Sequence, residues 1–198
     1  MKRAAIGIRM HSGWGALVAV SYKGGTVEIV ERRRIALITP DTPGSKQPYH
    51  FVEKFELSEA DKFIAARFAD SKRLALGAVR DVITELKERK YRLVGSAIVL
   101  ASGRPLPPLA KILTAHPMLH AAEGEFFRQA FSKACEGLKL TWSGVRERDL
   151  DQCLRKMFGE TATRIKRQIS TFGRSLGPPW TTDQKTAALA ALLVLGKK

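Results

Sequence analysis

The sequence predicts an α/β protein built on one mixed sheet, with three antiparallel strands first, two parallel strands later, and flanking helices. Three observations carry that expectation. The first 37 residues are apolar-rich runs interrupted twice by small-residue turns; residues 93–101 form one unbroken apolar run; helical spacing governs most of the rest. At 198 residues, 44% apolar and 27% charged, the chain is long enough for one sizeable core, and residues 1–198 are read as a single domain.

Residues 4–10 form the first expected strand. A second, 16–22, follows the turn Ser12-Gly13-Trp14-Gly15, and a third, 26–37, follows Lys23-Gly24-Gly25. Pro40, Pro43 and Pro48 then break the pattern. Ser58 and Asp61 open a helical stretch in which Phe63, Ala66, Leu74, Val79, Val82, Ile83 and Leu86 recur at helical spacing up to Lys90, as one long helix or two joined. Residues 93–101 suit a strand covered on both faces, hence an inner parallel strand. Pro105, Pro107 and Pro108 end it. A helix over 116–138, a strand over 140–145 and helices over 149–158, 161–176 and 182–195 complete the chain. The last has no polar residue from Ala187 to Leu195, so it is expected to be buried nearly all round, with Asp183 at its N-terminal edge.

Composition narrows the function. No run approaches the roughly 18 apolar residues of a membrane span, and the N-terminus lacks a uniformly apolar signal-peptide core, so a cytoplasmic protein without a membrane partner is expected. Cys135 and Cys153 have neither disulfide-framework nor zinc-site spacing. Thirty-four Lys and Arg against nineteen Asp and Glu give a net charge of +15, concentrated towards both ends of the chain. Arg164, Lys166, Arg167 and Arg174 lie in a stretch free of acids, a pattern suited to phosphate contacts. Trp14, at the tip of the first turn, offers a face for stacking on a base.

The order of elements is that of the ribonuclease H-like fold, and the second half resembles RuvC-type Holliday junction resolvases. The run LHAAEGEFFRQAFSKACEGLKLTWSGVRERDLDQCLRKMFG looks like that family's helix, turn, strand and following helix. IKRQI and GPPWTTDQKTAALAAL look like its KxQV helix and its acidic terminal helix. The resemblance implies nucleic acid as the partner, structured or duplex DNA in particular, and admits a homodimer. It also implies four carboxylates holding two divalent metals, magnesium or manganese, for phosphodiester hydrolysis. Three of the four positions depart from that set: Arg9 stands at the strand-one acid, Val99 at the central-strand acid and Thr186 at the second terminal acid, leaving Asp183. The expectation is a nucleic-acid-binding protein of nuclease fold whose two-metal site is degenerate, with Arg9, His11, Arg104, Arg164, Lys166, Arg167 and Arg174 as phosphate contacts near Asp183.

Two further constellations give alternatives. His116, His120 and Glu123 have i, i+4, i+7 spacing, which fits a transition-metal ligand set to which His11 could add a fourth group, or a helix cap followed by dipole-compatible acids. Glu123 is also a candidate catalytic acid beside Asp183, and an active hydrolase would draw on Glu123, Glu125, Glu147, Asp149 and Asp183. The turn His11-Ser12-Gly13-Trp14-Gly15 has the outline of a phosphate cradle in actin-like ATPases of the same superfamily, which would make the chain a small phosphate- or ATP-binding module; a tight hairpin is the competing reading.

Overall fold

A computed structural model describes residues 1–101 and 105–196. Strands β1 (Lys2–His11), β2 (Trp14–Lys23) and β3 (Thr26–Ala36) form an antiparallel meander. β4 (Tyr91–Leu100) and β5 (Trp142–Arg146) add in parallel on the other side of β1, giving the order β3-β2-β1-β4-β5. The three parallel strands therefore present their carboxyl ends at one edge of the sheet.

The helices are α1 (Pro48–Phe51), α2 (Leu57–Glu88), α3 (Leu109–Leu113), α4 (His116–Gly137), α5 (Leu150–Phe158), α6 (Thr161–Thr171), α7 (Gly173–Leu176) and α8 (Thr182–Leu195). The stretch before residue 90 is one helix of 32 residues, α2. The helix expected over 161–176 breaks at Phe172 into α6 and α7. The short α1 and α3 lie among the prolines and were not anticipated, because four or five residues carry no readable period.

Strand alternation divides the protein into two layers. Ala4, Ile6, Ile8 and Met10 of β1 pack with α2 and α4, against Val79, Val82, Leu86, Phe126, Phe127 and Phe131. Ala5 and its neighbours on the other face pack with α5, α6 and α8, against Leu154, Ile165, Leu192 and Leu195. Helix α8 starts with a capping box, in which the Thr181 side chain accepts from the Asp183 N–H and Gln184 accepts from the Thr181 N–H. No helix among the described residues is long and apolar enough to cross a membrane. Both cysteines are free, and burial pushes the Cys135 thiol up to about 12.

The tryptophans divide. Trp180 is buried and its Nε1 donates to the Ile169 carbonyl at 2.7 Å, whereas Trp142 is 40% exposed and donates to Glu136.

At Gly7 the backbone of α8 comes close against the sheet. A Cβ at that position would lie 1.9 Å from the Ala187 carbonyl oxygen and 2.8 Å from the Ala191 nitrogen. Both are backbone atoms that move only with the whole helix. Gly7→Ala is expected to destabilise the protein by about 1–3 kcal/mol in urea unfolding. Gly77→Ala is the control, because it fills open space in the interior of α2 and should add about 0.5–1 kcal/mol. Equal effects of the two changes would mean that α8 does not sit on β1 as described.

Candidate functional site

The site lies at the carboxyl edge of the parallel strands. Arg9 projects from β1 towards α8 and sits beside Val99 in the parallel register, while Val99 in turn pairs with Val145 of β5. The first residue beyond β5 is Glu147, and the first turn of α8 carries Asp183. Arg9 joins them: its Nε and Nη2 donate to the Glu147 carboxylate at 3.3, 3.0 and 3.2 Å, and Nη1 pairs with Asp183. Thr186, one turn further along α8, is buried. Arg9, Val99, Asp183 and Thr186 thus gather in one place, and the carboxylates closest to it, Asp183 and Glu147, are both engaged by one guanidinium.

Electrostatics follows from that engagement. Burial pushes the Asp183 carboxyl up, and its charged partners more than offset this, holding it below the ordinary aspartate value. His11 Nε2 lies 3.1 Å from the same Asp183 oxygen but is out of line for a hydrogen bond, so the main partner is Arg9. Arg9 itself is raised above the ordinary arginine value despite the opposing effect of burial.

The rim is a stack. His11 lies parallel to Trp14 with centroids 4.3 Å apart, and the Arg34 guanidinium sits 4.1 Å from the Trp14 ring. Both groups lie directly against the indole. Trp14 is therefore not a free stacking face at the tip of a loop. It is the first residue of β2, holding His11 and Arg34 in place.

The turn itself has two residues, Ser12 and Gly13, between the paired His11 and Trp14. Gly13 takes the left-handed conformation (φ 82°) and its carbonyl accepts from Leu37 at 2.9 Å. This is a tight hairpin, not the open amide cradle that a phosphate-binding module would need.

Several other expected residues lie elsewhere. Glu123 faces α1 on the opposite side of the sheet from Asp183, so the two cannot share a catalytic centre. Its Oε1 accepts from the backbone N–H groups of Tyr49 and His50 and lies 3.1 Å from His50 Nδ1. Burial pushes the Glu123 carboxyl up against these stabilising contacts, and burial also pushes Tyr49 up to about 12. Glu125 pairs with Arg128 and Asp149 with Arg146. His116 and His120 do converge, with Nε2 atoms 3.1 Å apart, but the third group beside them is His50 and not Glu123 or His11.

Among the basic residues, Arg164 comes against Gly25 in the β2–β3 turn. The antiparallel register puts that turn at the far end of β2 from Trp14, so Arg164 is remote from Asp183. Lys166 pairs with Asp151. Arg167 and Arg174 are exposed. Arg104 lies outside the described residues.

His50 is the residue whose importance sequence reasoning missed, and Glu147, named there only in an alternative acid set, was not expected as the partner of Arg9. For Glu147 a signal existed: it directly follows a parallel strand, at the carboxyl edge where open α/β sheets place their sites. His50 stands in a proline-rich segment with no period to place it.

A mixed sheet with three antiparallel strands, two parallel additions and helices on both faces is the arrangement of the ribonuclease H-like fold. Within that class the fold is RuvC-like. The chain superimposes on Thermus thermophilus RuvC in complex with a Holliday junction substrate with a TM-score of 0.54 and 11% identity, covering 96% of this chain and 91% of that one. Against Thermus thermophilus RuvC alone the TM-score is 0.53 with 10% identity and the same coverage. No family model matches the chain, and no curated protein matches it in sequence.

Arg9→Met removes the partner of Asp183 and leaves its burial. In the parent, the depressed Asp183 contributes stability present above the unfolded aspartate value, about 3.9, and lost as pH falls through the folded value. In the variant only His11 remains to oppose burial, so less of that contribution is present. The difference in Tm between parent and variant should therefore widen from about pH 3 to 5, and adding Asp183→Asn should abolish the widening. A pH-independent difference would show that Arg9 does not hold the Asp183 charge.

Proposed function

We propose that this protein binds structured or duplex nucleic acid and does not cleave it by the two-metal route. The observation that carries the reading is Arg9, a cation paired with Asp183 and Glu147 at the carboxyl edge of a RuvC-like sheet. Two divalent ions need several free carboxylates to hold them. Here a guanidinium occupies that place, while Val99 and Thr186 contribute no charge. Support for the nucleic-acid partner comes from the net charge of +15 and from the structural likeness to a RuvC solved on a Holliday junction.

The contacts fall into two groups. Arg34, stacked on Trp14 beside His11, forms a cationic rim at the Arg9 edge. Arg164, Arg167 and Arg174 are exposed and form no ion pair among the described residues, so their charge is available to phosphates along α6 and α7. Lys166 is the weaker contact of that stripe because Asp151 already neutralises it.

Binding should be electrostatic. In fluorescence-anisotropy titrations with four-way junction and duplex DNA, log affinity should fall linearly with log salt, and replacing Arg164, Arg167 and Arg174 together with Ala should reduce the slope by about 3. Neither magnesium nor manganese should yield cleaved product. Salt-independent binding, or none at low salt, would remove the nucleic-acid reading; metal-dependent cleavage lost on Asp183→Asn would replace it with an active hydrolase.

A further inference from the structure

The chain has four histidines, and three of them meet. His116 and His120 stand one turn apart at the start of α4, and α1 brings His50 to them across the fold. One ring nitrogen from each lies within 4.8 Å of those of the other two. The rings of His50 are 5.4 Å from His116 and 4.7 Å from His120, centroid to centroid.

The arrangement around His50 is directional. Glu123 is 2% exposed, and its Oε1 is fixed by two backbone N–H groups, from Tyr49 at 2.9 Å and His50 at 3.1 Å. The same oxygen lies 3.1 Å from His50 Nδ1, and with Nδ1–H donating to the carboxylate the lone pair falls on Nε2. His50 Nε2 is buried and has no hydrogen-bond partner. A buried imidazole nitrogen held in its accepting form, with nothing to accept from, is an unmet requirement.

The exposed pair points the same way. His116 Nε2 and His120 Nε2 are 3.1 Å apart. A tetrahedral site with metal–nitrogen distances of about 2.0–2.1 Å has nitrogens about 3.3 Å apart, so these two already stand close to the edge of such a tetrahedron. A cation at the start of α4 works against the helix dipole, and the Glu123 carboxylate supplies the opposing charge.

We propose that His50, His116 and His120 form a binding site for one divalent transition-metal ion of imidazole preference, with Zn²⁺ as the reference ion. The fourth position is left to solvent, and Glu123 is a positioning residue that orients His50 and does not ligate. The ion would tie the proline-rich segment carrying α1 to α4. It would lie on the opposite face of the sheet from Asp183, so it is independent of the nucleic-acid reading and of any two-metal nuclease centre.

The test uses tag-free full-length protein and the metal alone. Titration with ZnCl₂ against a chromophoric chelator should give one equivalent bound, with a rise in Tm, and Co²⁺ should give the intense visible absorption of a four-coordinate ion. His116→Ala and His120→Ala alter exposed positions and should fold normally by circular dichroism while losing the site. Glu123→Gln should weaken zinc binding by about 10- to 100-fold, without changing the one-to-one stoichiometry or the cobalt band shape. His11→Ala should bind as the parent does. Undiminished zinc affinity in the folded His116→Ala and His120→Ala variants, a parent that binds no zinc, or a six-coordinate cobalt spectrum would each overturn the proposal.

Discussion

The closeness of α8 to β1 is the constraint on which the rest of this structure depends. An apolar helix can lie directly on a strand only where the strand has no side chain in the way, and Gly7 supplies that gap. The depth of the helix fixes the height of its first turn, and the first turn carries Asp183. Two residues along β1 from Gly7, Arg9 emerges on the same face and meets that carboxylate. The ion pair is thus a product of backbone packing, set by the absence of one Cβ. Glu147 joins from β5 because parallel strands end together.

The sheet separates two kinds of polar chemistry. On the α8 face, charge is compensated at short range by a guanidinium shared between two acids, with an indole against an imidazole and a second guanidinium at the rim. On the α2 and α4 face, a nearly buried carboxylate organises the backbone of a short helix and one imidazole. In each cluster one buried imidazole nitrogen, His11 Nε2 on one face and His50 Nε2 on the other, is left without a hydrogen-bond partner. Neither needs the other to persist.

Much of the fold was legible in the sequence because its elements are long and sharply bounded. The three opening strands are set off by readable turns, the inner strand and the terminal helix stand out as continuous apolar runs, and their limits fall within a residue or two of those observed. What escaped was short or non-local: α1 and α3 have too few residues for a period, and Phe172 interrupts a basic amphipathic run whose composition gives no warning. The Arg9 and Asp183 positions were legible only through the resemblance to resolvases, since 174 residues separate them. Glu123 was misplaced for an instructive reason. Its helical spacing correctly put it on the side of His120, but spacing says nothing about whether a carboxylate reaches outward to a ligand or inward to an incoming backbone. Here α1 arrives and takes it.

The alternation of β1 also protects the pairing of its strands. Ile6, Ile8 and Met10 belong to one layer; Ala5, Gly7 and Arg9 belong to the other. A slip of one residue would drive a guanidinium among Phe126, Phe127 and Phe131 and thrust a branched isoleucine at the Ala187 carbonyl. Both penalties act against the same error, one from desolvated charge and one from steric collision. Arg9 therefore helps fix the register of the central strand, because its charge is tolerated on one face of the sheet and not on the other.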